Sequence, residues 1–283
     1  MNLPLFELGL GLLISAGIGW AAYRRAALDP SGVAGAILTG TVIFGFGGWV
    51  WGMLLITFFV LSSLLSLYKA GLKESLAEKF AKGSRRDLWQ ALANGGAGAL
   101  MALAYGLAPH PALFFAYIGA MATVNADTWA TELGVLSKRP PRLITTGRIV
   151  APGTSGGISP LGTLATLGGG ATIGGAAVAW MAIDGILGGS GIVLAGGDAG
   201  ATRAALLVAV AALSGLAGSL CDSLLGATVQ AIYYSPHRRK ETEKVIDPDS
   251  TPNEHLRGWR WLNNDWVNFI SSLVGAGVAA LFG

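Results

Sequence analysis

Eight apolar stretches, each about as long as a bilayer is thick, constrain the fold of this chain more than any other feature. A membrane-spanning helix needs about 20 consecutive, mostly apolar residues. The chain of 283 residues is only 12% charged, against about 25% in an ordinary soluble domain. We predict an all-α, polytopic transmembrane helix bundle, one integral membrane domain over residues 1–283. Its eight helices are expected at approximately 5–23, 33–48, 49–67, 88–107, 112–135, 159–183, 203–230 and 265–282.

Glycine is unusually frequent, with 43 residues. Small residues let helix backbones approach closely in a membrane, where lipid provides no hydrophobic force between helices. The glycine-rich stretch 184–200 has two open interpretations, an outer loop or a re-entrant segment. The N-terminal apolar run has no clear cleavage site before Arg24 and Arg25, so we predict a retained first helix rather than a signal peptide.

The positions of the basic residues predict the orientation of the bundle. In the eight-helix arrangement all but one of the 19 Lys and Arg residues lie in connections on one side, and only Arg203 lies on the other. The positive-inside rule makes the crowded side cytoplasmic, which places both termini on the non-cytoplasmic side. In a prokaryote the host membrane is then the cytoplasmic membrane. Membrane topology accounts for the basic residues, so membrane lipids are expected as partners and nucleic acid is not.

Three connections on the predicted cytoplasmic side are long. Segment 68–87 has apolar residues at every fourth position among lysines, which favours an interfacial helix on anionic lipid headgroups. Segment 137–159 is rich in Gly, Pro, Thr and Arg. Segment 231–264 is charged and ends in tryptophans, which are typical anchors at a membrane interface.

The fifth predicted helix carries acids inside the membrane, where a carboxylate is costly and by default indicates a functional site. At 100° per residue, Asp127 and Glu132 lie on one wide polar face of this helix. The face also contains Asn125 and Thr128. Both acids are therefore expected to face the bundle as catalytic groups. Asn125 and Thr128, like Ser223 later in the chain, are predicted to bind substrate.

Asp222 lies on the seventh predicted helix, near the same end of the membrane as Asp127 and directly before Ser223. It stands in a stripe of small residues against which another helix can pack; the stripe consists of Gly215, Gly218, Ser219 and Gly226. The structural alternative is a packing surface in which the aspartate only bonds to a neighbour. A buried acid without a partner is costly, which favours a functional role.

The eighth predicted helix begins with polar residues. Asp265 shares a face with Asn268, and Asn264 shares another face with Asn268. Asp265 is predicted to be catalytic, and Asn264 and Asn268 are predicted to bind substrate. The alternative reading is an N-cap in which Asn264 or Asp265 accepts hydrogen bonds from free amides of the first turn.

The connection between the fifth and sixth helices reads PPRLITTGRIVAPGTSGGISPLG. Glycines and serines before a helix N-terminus can present several backbone N–H groups to an anion, and arginine suits phosphate. The predicted phosphate-binding residues are Arg142, Thr145, Thr146, Arg148, Gly153, Thr154, Ser155, Gly156 and Gly157. The loop lacks the G-K-[ST] of a Walker A motif. A flexible connection with topology-setting arginines remains the alternative.

Together these groups suit phosphoryl chemistry at the cytoplasmic boundary. Acids from different helices, Asp127 and Asp222 first, could hold Mg²⁺, which prefers oxygen ligands and substrate phosphates. Phosphoryl transfer depends mainly on positioning and on charge neutralisation, which this set of residues can supply.

Four ordered motifs, ADTWATELG, PRLITTGRIVAPGTSGGIS, GSLCDSLLGA and NDWVN, resemble a family of integral membrane proteins long labelled as of unknown function. Plant and cyanobacterial members include phytyl-phosphate kinase, and the family is distantly similar to CTP-dependent phytol and dolichol kinases. The resemblance implies phosphoryl transfer from a nucleotide, with CTP expected, to an isoprenyl monophosphate. It implies metal or catalytic acids at Asp127, Glu132 and Asp222, with Asp265 completing the site. Segment 231–254 matches the family least and receives no role.

Three other functions remain open. A membrane cytidylyltransferase would share the metal and nucleotide site but release pyrophosphate. A transporter of a small anion or lipid phosphate would suit glycine-rich, broken helices. A purely structural membrane protein would leave the intramembrane acids unexplained.

Overall fold

The computed structural model describes residues 4–68, 85–189, 197–247 and 249–283. Within these residues the chain forms eight α-helices, which confirms the predicted helical class. The helices are α1 (Leu5–Arg24), α2 (Pro30–Val42), α3 (Trp49–Leu67), α4 (Leu88–Leu107), α5 (Pro111–Gly134), α6 (Pro160–Ile186), α7 (Gly197–Thr228) and α8 (Asn264–Ala280). A π-helical segment, Ile43–Gly47, continues α2. Gly48, with φ of 88°, makes the sharp turn into α3.

Five of the described helices are long and apolar enough to cross a membrane: α1, α2 with its π-helical extension, α3, α6 and α7. Their outer faces carry exposed leucines such as Leu13 and Leu64, as expected for surfaces in contact with lipid. Helix α5 is more polar and is enclosed by its neighbours, since its residues from Ala116 to Ala126 are buried. Helix α8 has only 17 residues.

Two predicted segments lie partly outside the described residues. Residues 69–84 are among them, so the interfacial helix expected within 68–87 stays a prediction. In the glycine-rich stretch 184–200, α6 continues to Ile186 and α7 begins at Gly197, earlier than predicted. Residues 190–196 lie outside the described part. Asp184 belongs to α6, and its Oδ1 accepts a 2.6 Å hydrogen bond from Trp49 Nε1.

Helix α5 is the centre of the bundle and packs against α6, α7 and α8. The small-residue stripe of α7 lies against it as predicted. A Cβ atom on Gly218 would approach the Thr123 side chain to 2.3 Å, and one on Gly215 would lie 3.1 Å from the Ala126 Cβ. On the other side of α5, the Tyr117 hydroxyl donates a 2.6 Å hydrogen bond to the Trp51 carbonyl. This close packing fixes the rotation of α5 about its axis.

Two small antiparallel sheets add β-structure to the predicted all-α fold. Strands β1 (Arg142–Leu143) and β2 (Gly157–Ile158) pair at the base of the glycine-rich loop. Strands β3 (Ile232–Ser235), β4 (Lys240–Thr242) and β5 (Glu254–Arg257) form a sheet of order β4-β3-β5. The charged segment 231–264 therefore contains a folded sheet. Its IYYS run is rich in residues that favour strands. These strands flank the predicted cytoplasmic ends of the helices.

Asp247 ties the turns of this sheet together. Its Oδ2 accepts a 2.5 Å hydrogen bond from the Ser235 hydroxyl. Its Oδ1 accepts one from Asn253 Nδ2 at 3.2 Å and pairs with Arg238 Nη2 at 3.4 Å. The Ser235 hydrogen bond is the main reason that the pKa of Asp247 lies below its usual value, and the Asn253 bond and the Arg238 charge add to it. The sheet is thus held in place by an ionised carboxylate.

Replacing Gly275 of α8 by Ala should destabilise the bundle. A Cβ at Gly275 would lie 1.9 Å from Thr123 Oγ1 and 2.9 Å from the Gly119 carbonyl oxygen. Overpacking of this kind costs about 1–3 kcal/mol, so we expect a thermal midpoint several degrees lower in detergent. Gly277→Ala on the same helix is the control, since a Cβ there meets nothing within 4 Å. Equal midpoints for the two variants would contradict this packing.

Candidate active site

A cavity of about 180 Å³ opens where the predicted cytoplasmic ends of α5, α6, α7 and α8 meet. Three carboxylates line it: Asp127 of α5, Asp222 of α7 and Glu243, which follows β4. The glycine-rich turn 153–157 also lines it. Among the described residues, no Lys or Arg lines this cavity. We call it the acid cavity.

Asp127 and Asp222 come from different helices and are each supported by a serine. Ser219 Oγ donates to Asp127 Oδ1 at 3.4 Å, and Ser271 Oγ donates to Asp222 Oδ2 at 3.1 Å. The two carboxylates lie near enough to repel each other. A cation between them would remove this repulsion, so the pair is suited to binding one.

The N-terminus of α6 faces the same cavity. Ser159 is its N-cap and accepts a 3.1 Å hydrogen bond from the Gly162 amide. Ser159, Gly162 and Thr163 all line the cavity. A helix N-terminus carries partial positive charge and free N–H groups, which favour an anion. The acid cavity therefore combines two carboxylates, which suit a cation, with a helix N-terminus, which suits an anion.

The glycine-rich turn packs tightly against the end of α7. Gly153 and Gly156 have φ of 76° and 82°, a region that favours glycine. A Cβ at Gly156 would lie 2.5 Å from the Cβ of Ala227. The turn therefore requires glycine at this position both for its backbone conformation and for its contact with α7.

Asn264, the first residue of α8, also lines the acid cavity. The N-cap of α8 is Asn263, whose Oδ1 accepts a 3.1 Å hydrogen bond from the Trp266 amide. The alternative assignment of the cap to Asn264 or Asp265 is therefore wrong. Capping by Asn263 leaves the Asn264 side chain available to the cavity.

Glu243 is the carboxylate of the cavity that sequence reasoning missed. Its Oε1 accepts hydrogen bonds from Ser155 Oγ at 2.8 Å and from Gln230 Nε2 at 3.0 Å. It thereby links the small sheet to the glycine-rich turn. The residue lies in a short charged run, KETEK, within the segment that matches the family motifs least, so no local pattern distinguished it.

The family model for "Integral membrane protein DUF92" matches residues 13–276 of the chain. The chain belongs to this family. Protein PGR of Arabidopsis thaliana is 35% identical over 96% of this chain and 94% of its own length. An uncharacterized membrane protein of Methanocaldococcus jannaschii is 31% identical over 98% of this chain and 94% of its own length. Protein VTE6, chloroplastic, also of Arabidopsis thaliana, is 27% identical over 99% of this chain and 69% of its own length.

No solved structure significantly matches this DUF92 chain. The family membership that the four motifs predicted is confirmed, and with it the assignment as a multi-pass integral membrane protein. Membrane lipids therefore surround the apolar faces of the bundle.

In this DUF92 protein about half of the predicted site residues line the acid cavity. They are Asp127, Gly153, Thr154, Ser155, Gly156, Gly157, Asp222, Ser223 and Asn264. Their convergence follows from the equal orientation of α5 and α7, which brings the same ends of both helices to one side of the bundle.

The rest of the polar face of α5 makes other contacts. Glu132 accepts a 2.6 Å hydrogen bond from Ser66 Oγ of α3 and also experiences the charge of Arg86. Asn125 is fully buried, and its Nδ2 donates to the Gly169 carbonyl of α6 at 2.8 Å. Thr128 donates to the Val124 carbonyl within its own helix. These three residues do not line the cavity.

The predicted arginines also lie outside the acid cavity. Arg142 Nη1 donates to the Gly147 carbonyl at 2.8 Å, and the Arg148 amide donates to Thr146 Oγ1 at 3.4 Å. These contacts hold the tip of the loop in shape. The other predicted site residues that do not line the cavity are Thr145, Thr146, Asp265 and Asn268.

The carboxylates of the acid cavity suit a metal ion that also takes ligands from water and substrate, rather than one held by protein side chains alone. Within the described part of the chain, no three His, Cys, Asp or Glu side chains form a group that could hold a metal ion by themselves. Mg²⁺ at nucleotide sites usually takes one or two carboxylates and completes its shell with water and phosphate oxygens. Asp127 and Asp222 could supply these one or two carboxylate ligands.

Proposed function

We propose that this DUF92 protein is a membrane-embedded kinase. It transfers the γ-phosphoryl group of a nucleoside triphosphate, with CTP the expected donor, to an isoprenyl monophosphate of the phytyl type. The observation that carries the proposal is the acid cavity, which Asp127 and Asp222 line together with the glycine-rich turn and the N-terminus of α6. Such a site suits a lipid whose charged head lies at the membrane surface and whose tail remains in the bilayer.

The carboxylates and the backbone amides that line the cavity have different tasks in this proposal. Backbone amides of turn 153–157 would bind phosphate oxygens, apart from those of Thr154 and Gly157, which donate to the carbonyls of Ala151 and Thr154. The N-terminus of α6 would add its partial positive charge. Asp127 and Asp222 would hold Mg²⁺, which when bound neutralises phosphate charge. Ser219 and Ser271 orient the two carboxylates through their hydrogen bonds. Glu243 holds Ser155 of the turn in position.

The reaction itself needs little covalent chemistry from the protein. A phosphate oxygen of the lipid attacks the γ-phosphorus of the nucleotide and forms the new P–O bond. The bond from the γ-phosphorus to the β–γ bridging oxygen breaks, and the nucleoside diphosphate leaves with that electron pair. An ionised phosphate already has a lone pair to donate, so the aspartates need not remove a proton. The protein contributes alignment of the reactants and charge neutralisation.

Family relationship supports the substrate class. The family that the four motifs resemble includes phytyl-phosphate kinase. The similarity to Protein VTE6 extends over 99% of this chain. The acid cavity contains residues from all four motifs, namely Asp127, Gly156, Asp222 and Asn264 among others.

The test is label transfer by purified protein in detergent with Mg²⁺, geranylgeranyl or phytyl monophosphate, and CTP labelled at either the α or the γ phosphate. A kinase places the γ label in a lipid diphosphate and leaves the α label in CDP. A cytidylyltransferase instead places the α label in the lipid and releases the γ label as pyrophosphate, which would overturn the kinase proposal. Absence of both products with folded protein, whichever nucleotide is supplied, would overturn both activities.

A further inference from the structure

A second cavity, of about 330 Å³, adjoins the acid cavity on the side of the small sheet. The two cavities share four lining residues, Gly153, Thr154, Ser155 and Glu243. The glycine-rich turn and Glu243 therefore form a common boundary between them. We call the second one the outer cavity.

The outer cavity combines an aliphatic wall with a charged edge. Val150 and Ile232 contribute apolar side chains. Lys240 and Glu241 of β4 contribute opposite charges. Small-molecule pockets are typically about 300–1,000 Å³ in volume, largely apolar, with a few placed polar groups. The outer cavity reaches this range, whereas the acid cavity, at about 180 Å³, is below it.

The distribution of basic side chains separates the two cavities further. Of the described residues that line either cavity, Lys240 is the one Lys or Arg. A nucleoside triphosphate carries several negative charges, and a lysine ammonium is a common partner for phosphate. A nucleotide confined to the acid cavity would face three carboxylates without a basic side chain, whereas one that extends into the outer cavity would approach Lys240.

We propose that the outer cavity binds the nucleoside and inner phosphates of the donor nucleotide. Lys240 contacts a phosphate there, and the phosphate chain passes over turn 153–157, so that the terminal phosphate reaches Asp127 and Asp222. This inference rests on the proposed function for its ligand class. It assigns a nucleotide-binding role to the sheet β4-β3-β5, for which no function was predicted from the sequence.

The sheet is built firmly enough to position Lys240. The residue pairs with Ser235 of β3 in the antiparallel ladder. Ser235 is itself fully buried and bonded to Asp247. Two residues beyond Lys240, the buried Thr242 accepts a hydrogen bond from the Lys244 amide at 3.2 Å. The backbone on both sides of Lys240 is therefore fixed relative to the boundary with the acid cavity.

Equilibrium binding of labelled CTP, measured without a lipid substrate, tests the inference. Lys240→Met should weaken CTP binding by about 10-fold or more, the usual effect of losing a hydrogen bond to a charged group. Lys240→Arg keeps the charge and should restore most of the affinity. Lys244→Met is the matched control, because Lys244 lies on the same hairpin but lines neither cavity, and it should bind CTP like the wild type.

The outcomes separate this inference from the proposed function. Wild-type affinity in a folded Lys240→Met variant would overturn the outer-cavity assignment, even if the protein proves to be a kinase. Competition by inorganic triphosphate as strong as that by unlabelled CTP would also overturn it, since the cavity would then not recognise a nucleoside. CTP binding that depends on Lys240, in a protein that transfers no label, would support the nucleotide site and contradict only the kinase reaction.

Discussion

Asp222→Asn should lower the rate of phosphoryl transfer by about 10²–10³-fold, the loss typical when one electrostatic contact to the transition state is removed. Asparagine has nearly the same size and can still accept the hydrogen bond from Ser271. It lacks the negative charge that the pair with Asp127 needs to hold a metal ion. We therefore expect a folded variant whose residual activity needs a higher Mg²⁺ concentration, measured by label transfer across a Mg²⁺ titration.

Asp198→Asn provides the matched control for this prediction. Asp198 lies in the first turn of the same helix, α7, and is exposed. It is far along the helix from the acid cavity, so its variant should keep the wild-type rate. Full activity and unchanged Mg²⁺ dependence in Asp222→Asn would show that Asp222 has no part in metal binding.

Gly156→Ala should reduce transfer by about 10²-fold, because a displacement of about 1 Å at a positioning element can cost that much. The residue has φ of 82°, and a Cβ would lie 2.6 Å from both the amide nitrogen and the Cα of Ala227. Since neither backbone can yield easily, the turn would move away from α7 and take its amides with it. The Michaelis constant for the nucleotide and the transfer rate should both be affected.

Gly147→Ala is the control for Gly156→Ala, because it separates the effect of crowding on activity from the effect of backbone conformation. Gly147 also has a positive φ, of 68°, but a Cβ there meets nothing within 4 Å. This variant carries the conformational cost without the collision, and it should retain most of the activity. Equal losses in the two variants would contradict the role assigned to the contact between the turn and α7.

Apolar periodicity and length were sufficient to locate the helices. Helix α4 has the predicted bounds, Leu88–Leu107, and an Asp87–Gln90 capping box defines its start. Helix α7 begins earlier than expected at Gly197 because glycines obscured the start of the apolar run. The sheet β4-β3-β5 was not predicted, since its strands have only three or four residues each and lie among charged residues.

The site was predictable where helix direction determined it. Asp127 and Asp222 lie near equivalent ends of parallel helices, and the structure brings both to one cavity. The polar face of α5 was too wide to predict which helix each of its residues contacts. Asp127 faces α7, whereas Glu132 faces Ser66 of α3. Glu243 could not be predicted as a cavity residue, because the separate sheet β4-β3-β5 places it there.

A double-mutant cycle on Asp127 and Asp222 tests most directly the claim that the two carboxylates act as one site. Transfer rates would be compared for the wild type, Asp127→Asn, Asp222→Asn and the double variant, each checked for folding. Residues that act as a unit are strongly non-additive. We predict that the double variant is about as slow as the slower single variant. Losses that multiply would contradict a shared role, and wild-type rates in both single variants would exclude the acid cavity as the active site.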